Sequence, residues 1–335
     1  MPRVARLDTP GILQHVMIRG IERRKIFRKD DDRQDMLERL GTLLPETGTA
    51  CYAWAFLDNH AHFLFRSGPR GISVLMRRLL TGYVVGFNHR HRRSGQLFQN
   101  RYKSIVCQED AYLKHLVVYI HLNPLRARLV DDVADLADYP YCGHGVLLGR
   151  RSISWQQVQY VLQQFGEPAK DARRHYLTYV TKGAALGRRP ELAGGTLERR
   201  DGGWKPVRGR RRKGMERRMC DSRILGDSDF VHSVLAEARQ TLDRRYKMQS
   251  QGWDFERVLA RAAEMFDVPV SAMRSGGRRR PLAMARGLSC YWAVRELGMT
   301  AAEVARRLGM TAAGVNVAVN RGERLAADRS LTISG

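Results

Sequence analysis

The chain has 335 residues, 43% of them hydrophobic, enough for two or three packed domains, which excludes wholesale disorder. Lys and Arg number 58 against 34 Asp and Glu, a formal net charge of +24, so the expected partner is a polyanion, nucleic acid before an anionic membrane surface. No apolar run reaches about 18 residues and the opening Met1-Pro2-Arg3-Val4-Ala5-Arg6 leads into no apolar signal core, which sets the membrane aside and points to a cytoplasmic protein.

The first elements alternate strand and helix. His15-Val16-Met17-Ile18 is a β-rich run. Asp30-Asp31-Asp32 then opens a helix with acids at the positive end of its dipole, and Met36, Leu37, Leu40, Leu43 and Leu44 keep one face apolar. Cys51 to Leu57 reads as a strand, Asp58-Asn59 as a turn, and His60 to Phe65 as the strand completing a hairpin. Ser73 to His91 suits a helix and Tyr102 to Val106 a short strand. Ala111 to Leu122 is a helix stopped at Asn123-Pro124, because proline disfavours helical geometry in the residue before it. The order β-α-β-β-α-β-α implies an α+β fold, an antiparallel sheet with helices packed on it.

A helix-like run, Gln156 to Phe165, follows. Lys205 to Arg218 then holds eight Lys or Arg and one acid, and reads as a mobile basic linker. Beyond Phe230 the chain is helical. Ala283 to Glu296 is one helix, Thr300 to Leu308 the next, and Thr311 to Asn320 the third. Thr300 and Thr311 serve as N-caps and Gly309 supplies the turn, a helix-turn-helix signature. Three regions result: 1–150, an α+β domain; 151–226, a helical extension and basic linker; and 227–335, an all-α domain whose helix-turn-helix suits DNA binding. The five cysteines, Cys51, Cys107, Cys142, Cys220 and Cys290, form no CxxC pair and read as reduced thiols.

Three segments carry side chains suited to chemistry. In His60-Ala61-His62, alternate strand residues share a side, so both imidazoles can hold one metal ion while Phe63 and Phe65 point to the core. The bland alternative is two histidines on a solvent-facing strand. On the helix Ala111 to Leu122, Leu113, Leu116, Val117 and Ile120 form a core stripe, and His115, Tyr119 and Asn123 recur every four residues beside it. Tyr119 offers a phenol that can attack phosphorus and Asn123 an amide oxygen for a hard cation, unless Tyr119 is an ordinary tyrosine of an amphipathic helix. Gly95 to Ser104 alternates polar, cationic and aromatic residues. It suits phosphate holding and base stacking, or else a hairpin edge blunted by charge.

Asn59-His60-Ala61-His62-Phe63-Leu64, Gly95 through Ser104, and Tyr119-Ile120-His121-Leu122-Asn123-Pro124-Leu125-Arg126-Ala127 occur in this order, after His15-Val16-Met17-Ile18-Arg19-Gly20. Together they resemble the REP-associated tyrosine transposases, single-strand transposases of the HUH nuclease superfamily, over about residues 8–150. The resemblance implies an HUH nuclease-like fold of ferredoxin-like or RRM-like type. It implies Mg2+ or Mn2+ on His60 and His62, with Asn123 at the position of a third ligand. It also implies attack by Tyr119 to give a 5′-phosphotyrosine link and a free 3′-hydroxyl, on single-stranded DNA with hairpins, in the bacterial nucleoid. One departure is Asp58, which stands where that family commonly has proline and puts an acid near the metal. The C-terminal helices look similar to the DNA-binding domain of bacterial replication initiators, which implies duplex DNA as a further partner.

The residues expected on nucleic acid are Arg19, Arg101, Lys103, Arg126, Lys205, Arg210, Arg211, Arg212, Arg278, Arg279 and Arg280, with Asn316 and Asn320 on base edges and Arg321 on phosphate. The expected assembly is a monomer or homodimer. A catalytically silent DNA-binding regulator of the same fold is the alternative, and an RNA-binding α+β protein a third reading.

Overall fold

Leu13 to Ile18 is buried almost throughout, as a strand covered on both faces must be, and it sets the frame. In a computed structural model this segment belongs to strand β1 (Leu13–Arg19), and it lies inside a five-stranded sheet. The structure describes residues 7–187, 192, 197–200, 203–206, 221, 223–227, 229–237, 248, 250–275, 277 and 279–333, in two units, Met1–Leu235 and Ala236–Gly335.

In the first unit β1 is followed by α1 (Asp30–Thr47), β2 (Ala50–Leu57), β3 (His60–Arg66), α2 (Ile72–Arg90), β4 (Lys103–Cys107) and α3 (Glu109–His121), the order read from the sequence. Short helices α4 (Asn123–Arg126), α5 (Val133–Asp138), α6 (His144–Leu147) and α7 (Val158–Gln163) lead to the longer α8 (Ala169–Ala185). A hairpin of β5 (Leu197–Arg200) and β6 (Gly203–Pro206) and the two-residue strand β7 (Ile224–Leu225) complete it. The sheet order is β2-β3-β1-β4-β7. The first four strands pair antiparallel, and β7 adds a parallel edge, Val106 facing Ile224 and Cys107 facing Leu225.

Helices cover both faces. On one, Val16, Ile18, Trp54, Phe56, Phe63 and Phe65 pack against Met36, Leu40 and Leu44 of α1 and Leu75, Leu79 and Tyr83 of α2. On the other, Leu13, Ala53, Ala55 and Leu64 meet Leu113, Leu116, Val117 and Ile120 of α3, the apolar stripe expected there. A register shift between Cys51 and Ala53 leaves Tyr52 as the extra residue, which is why Tyr52 and Ala53 both belong to the α3 side.

The acids of α1 act as anticipated and more specifically. Asp32, fully buried, accepts hydrogen bonds from the backbone N–H of Arg28 and Lys29 and from the Arg90 and His91 side chains. The N-terminus of α1 is thereby tied to the end of α2.

The packing continues beyond residue 150, and one expectation changes. Residues after 150 send Val161 and Leu162 of α7 and Ala172, Tyr176 and Val180 of α8 into the same core as α3, so this stretch is part of the sheet's packing. The start of the expected linker is ordered into β6, where Lys205 stands opposite Glu198 in the strand register. Arg210, Arg211 and Arg212 lie outside the described residues, as does Arg278.

Beneath α3, His121, His144 and Tyr176 form a buried polar cluster. The Tyr176 hydroxyl lies 2.8 Å from His121 Nδ1 and 2.6 Å from His144 Nδ1. Nearby, Gln156 accepts from Trp54 Nε1 at 2.8 Å and donates to the Gly143 carbonyl, joining β2 to the chain that leads into α7.

The second unit contains α9 (Phe255–Met265), α10 (Val270–Arg274), α11 (Arg280–Arg295), α12 (Ala301–Leu308) and α13 (Ala312–Asp328) around Val258, Leu259, Leu288, Trp292, Val304 and Val315. The N-caps are as read from the sequence: the Thr300 hydroxyl accepts from Glu303 N–H and the Thr311 hydroxyl from Gly314 N–H. Gly309 makes the turn between α12 and α13 at φ 64°. The last helix runs past the expected Asn320 to Asp328, through Gly322. A Cβ there would lie 2.0 Å from the Gly287 carbonyl oxygen, so the two glycines let α11 and α13 cross backbone to backbone.

Replacing Tyr176 by Phe removes the hydroxyl between two buried ring nitrogens. The expected loss is about 1–3 kcal/mol of folding stability, the cost of leaving buried polar groups unpaired. Urea denaturation of the full chain measures it, and an unchanged midpoint would show that the hydroxyl carries no stability.

Candidate active site

Strand parity builds the site. His60, His62 and Leu64 project from the α3 side of β3, and Phe63 and Phe65 from the α1 and α2 side, as the alternation requires. The His60 and His62 rings are 5.1 Å apart between centroids. Tyr119, one helical face away from the core stripe of α3, comes to 6.2 Å from the His62 ring. The two imidazoles and the phenol expected to converge are therefore brought together.

A third imidazole joins them. His15 on β1 is fully buried, 5.2 Å from the His62 ring and 5.8 Å from that of Tyr119, and its Nε2 lies 2.9 Å from His62 Nδ1. The sequence offered one clue: His15 shares its parity with Leu13 and Met17, which face α3. Its closeness to His62 depends on β1 lying beside β3, with Met17 opposite His62, and that neighbourhood is not a local signal.

The ring nitrogens are oriented by their neighbours. Asn59 Nδ2 donates to the Arg23 carbonyl at 3.0 Å, which turns Asn59 Oδ1 toward His60 Nδ1 at 2.6 Å. His60 then donates from Nδ1, and its Nε2 carries a lone pair. His15 and His62 share one proton. With that proton on His62 Nδ1, the His62 Nε2 also offers a lone pair, the tautomer that a bound cation selects. Burial lowers His15 and His60 from the ordinary value near 6.5 to about 4, with the Arg19 charge adding to the effect at His60. Burial, then His15, His60 and Arg19, holds His62 well below its ordinary value. All three imidazoles are neutral at pH 7, the state required of a ligand. This donor set fits a divalent cation through two lone pairs. Among the described residues no three His, Cys, Asp or Glu side chains enclose one, so further ligands must be amide, water or phosphate oxygens.

Asn123 spends its amide N–H groups on the carbonyls of Tyr119 and Ile120, at 3.1 and 3.2 Å, closing the end of α3. The atom it has left to offer is Oδ1. The Arg126 guanidinium lies over the Tyr119 ring at 5.2 Å, and its Nη1 donates to the Tyr119 carbonyl. Arg19, exposed at the end of β1 opposite His60, and Lys103, exposed on β4 opposite Met17, make the rim cationic. Burial, then the charge of Arg19, lowers the Lys103 ammonium. Asp58 is committed elsewhere, to Arg33 Nη2 and Lys25 Nζ, each at 2.7 Å, while its carbonyl accepts from the backbone of Ile26 and Phe27. Asp58 thus holds the β2–β3 turn.

Gly95 to Ser104 needs a correction. Phe98 and Tyr102 are 8% and 7% exposed, and they pack with Tyr83 and Phe87, so these aromatics do not present faces for base stacking. The cause is pairing: Ile21 N–H donates to Leu97 O, and Gln99 N–H to Arg19 O, which draws the segment onto the end of β1. Gln96, Gln99, Asn100 and Arg101 remain exposed. In the second unit Arg279 and Arg280 are exposed at the start of α11; Asn316 and Arg321 are exposed on α13, and Asn320 is half-buried.

Residues 9–123 match the model of a family described as "Transposase IS200 like". The chain is also similar to a solved structure described as "Structure of the REP associates tyrosine transposase bound to a REP hairpin". The identity is 16%, over 47% of this chain and 98% of that one, with a TM-score of 0.38. No curated protein matches the chain. No helix among the described residues is long and apolar enough to cross a membrane.

Acid titration tests the buried imidazoles. His15, His60 and His144 are lowered to about 4, and His62 and His121 are held well below the ordinary value, chiefly by burial. Between these values and about 6.5 the unfolded chain binds more protons than the folded one, so stability rises with pH through that window. It is complete above about pH 7 and lost as pH falls toward 4. Thermal melting should therefore drop steeply from pH 6.5 to 4.5, and a melting temperature flat down to pH 5 would contradict the burial described.

Proposed function

We propose that this protein cleaves and rejoins single-stranded DNA at hairpin-bearing sites, with Tyr119 as nucleophile and His60 and His62 as ligands of Mg2+ or Mn2+. The observation that carries the reading is the approach of the Tyr119 ring to the His15–His62 pair, at 5.8 and 6.2 Å, beside His60. The match of residues 9–123 to the IS200-like family supports it, as do the four motif blocks in their order.

His60, His62 and the Asn123 amide oxygen would hold the cation, whose Lewis acidity draws charge from the scissile phosphate. Tyr119 Oη attacks phosphorus. The Oη–P bond forms, the bond from phosphorus to the 3′-oxygen breaks, and that oxygen leaves as a hydroxyl, taking up the equivalent of the phenol's proton. The link left on Tyr119 is a 5′-phosphotyrosine. Attack by another 3′-hydroxyl reverses the step and joins strands, and since a phosphodiester is exchanged for one of similar energy, no nucleotide triphosphate is consumed. Asn59 and His15 position the imidazoles. The ligand set lacks a carboxylate, so the negative charge opposite the cation comes from the DNA phosphate itself, and Arg19 and Lys103 add attraction for that strand.

In the second unit, α12 and α13 form a helix-turn-helix that adds affinity for duplex DNA. Asn316 and Asn320 read base edges, and Arg321, with Arg279 and Arg280, contacts phosphate.

Two measurements test these roles. A labelled single-stranded hairpin incubated with the full chain and Mn2+ should yield a covalent adduct. EDTA should abolish it, and Tyr119→Phe should lower it by at least about 1,000-fold. An adduct that persists in Tyr119→Phe removes this residue from the mechanism. Separately, the log of duplex affinity should fall linearly with the log of salt concentration, and Arg321→Ala should flatten the slope by about 1. An unchanged slope would take Arg321 off the phosphate.

A further inference from the structure

Beside Tyr119 a cavity of about 210 Å3 opens between α3 and α8. It lies against a helix that follows the family match, which ends at residue 123. We infer that this cavity takes one unpaired nucleobase, that of a nucleotide adjoining the phosphate attacked by Tyr119, while Arg126 and Lys182 hold its backbone. This rests on the nuclease reading above, since it takes the strand to lie at Tyr119.

Its walls have the right chemistry. Val118 and Leu192 are 4% and 2% exposed and give apolar surface, and the Tyr119 and Tyr179 rings supply flat aromatic surface. The Tyr179 hydroxyl bonds His115 at 3.0 Å, which fixes that ring. A Cβ at Gly183 would lie 2.8 Å from Val118 Cγ1, so the glycine keeps α8 close against α3. Cations meet the cavity: Arg126, stacked on Tyr119, and Lys182, exposed on α8. An apolar slot with aromatic walls and cations beside it matches a base attached to its phosphate.

Size narrows the occupant. The volume falls below the roughly 300–1,000 Å3 of clefts that enclose drug-sized ligands, which suits one ring system rather than several. Position supplies the rest. Tyr119 is a wall of the cavity and the nucleophile of the site, so a strand joined to its phenol has its neighbouring nucleotide within reach.

The test is photocrosslinking with the full chain, using a single-stranded hairpin oligonucleotide with 4-thiothymidine in its unpaired flank, the adduct on Tyr119 being scored in the same samples. Crosslinks are expected in the peptides holding residues 115–126 and 176–186. They should fall by about 5-fold or more in Val118→Phe, which fills the cavity, and in Lys182→Glu, an exposed change that spares the core. Crosslinks confined to other peptides, or unchanged in both variants, would overturn the inference. Adduct without crosslinks in these peptides refutes the pocket and leaves the nuclease standing. Crosslinks there without adduct support the pocket and count against the nuclease.

Discussion

The antiparallel register between β1 and β3 is the constraint on which the site depends. With Met17 opposite His62 and Arg19 opposite His60, residues of odd number on β1 and even number on β3 share the face that α3 covers. A slip of one residue would turn His60 and His62 into the aromatic layer of Phe56, Phe63 and Phe65. That layer guards against the slip, since Val16, Ile18, Phe63 and Phe65 have nowhere else to be buried. The packing of α1 and α2 on one face thus sets the chemistry on the other.

Burial and charge act together on that face. The imidazoles pay for their desolvation by staying neutral, and their nitrogens are ordered by partners that are themselves held, His60 by Asn59 and His62 by His15. The acids of α1 and of the hairpin turn have other duties. Asp32 ties α1 to α2, and Asp58 is held between Arg33 and Lys25 at the hairpin turn. What faces solvent around the site is basic, Arg19 and Lys103 among it, a surface that favours a phosphate chain.

Much of this was legible in local pattern. The βαββαβα order, the shared side of His60 and His62 and the apolar stripe of α3 follow from periods of two and 3.6 residues, and the structure keeps them. What escaped depends on neighbours distant in sequence. His15 becomes part of the site through strand order. Phe98 and Tyr102 read as solvent-facing aromatics until the pairing of Leu97–Gln99 with the end of β1 pulls them inward. Tyr179, Lys182 and Gly183 carry no motif, and their place beside Tyr119 comes from α8 folding back on α3. The third C-terminal helix reads only to Asn320; that it runs on through Gly322 depends on a second glycine 35 residues earlier, at Gly287.

The cluster of His121, Tyr176 and His144 has an internal logic of its own. One phenolic hydroxyl reaches two Nδ1 atoms, yet it owns a single hydrogen. It gives that hydrogen to one ring and must receive one from the other, so the two neutral histidines are opposite tautomers. The ring that receives keeps its own hydrogen on Nε2, where it has no acceptor among the described residues, while the other has a bare Nε2 without a donor. Two mirror arrangements exist, and passing between them means relocating three hydrogens in concert. The heart of the first unit is therefore handed, at the level of protons, in a way its heavy atoms alone do not display.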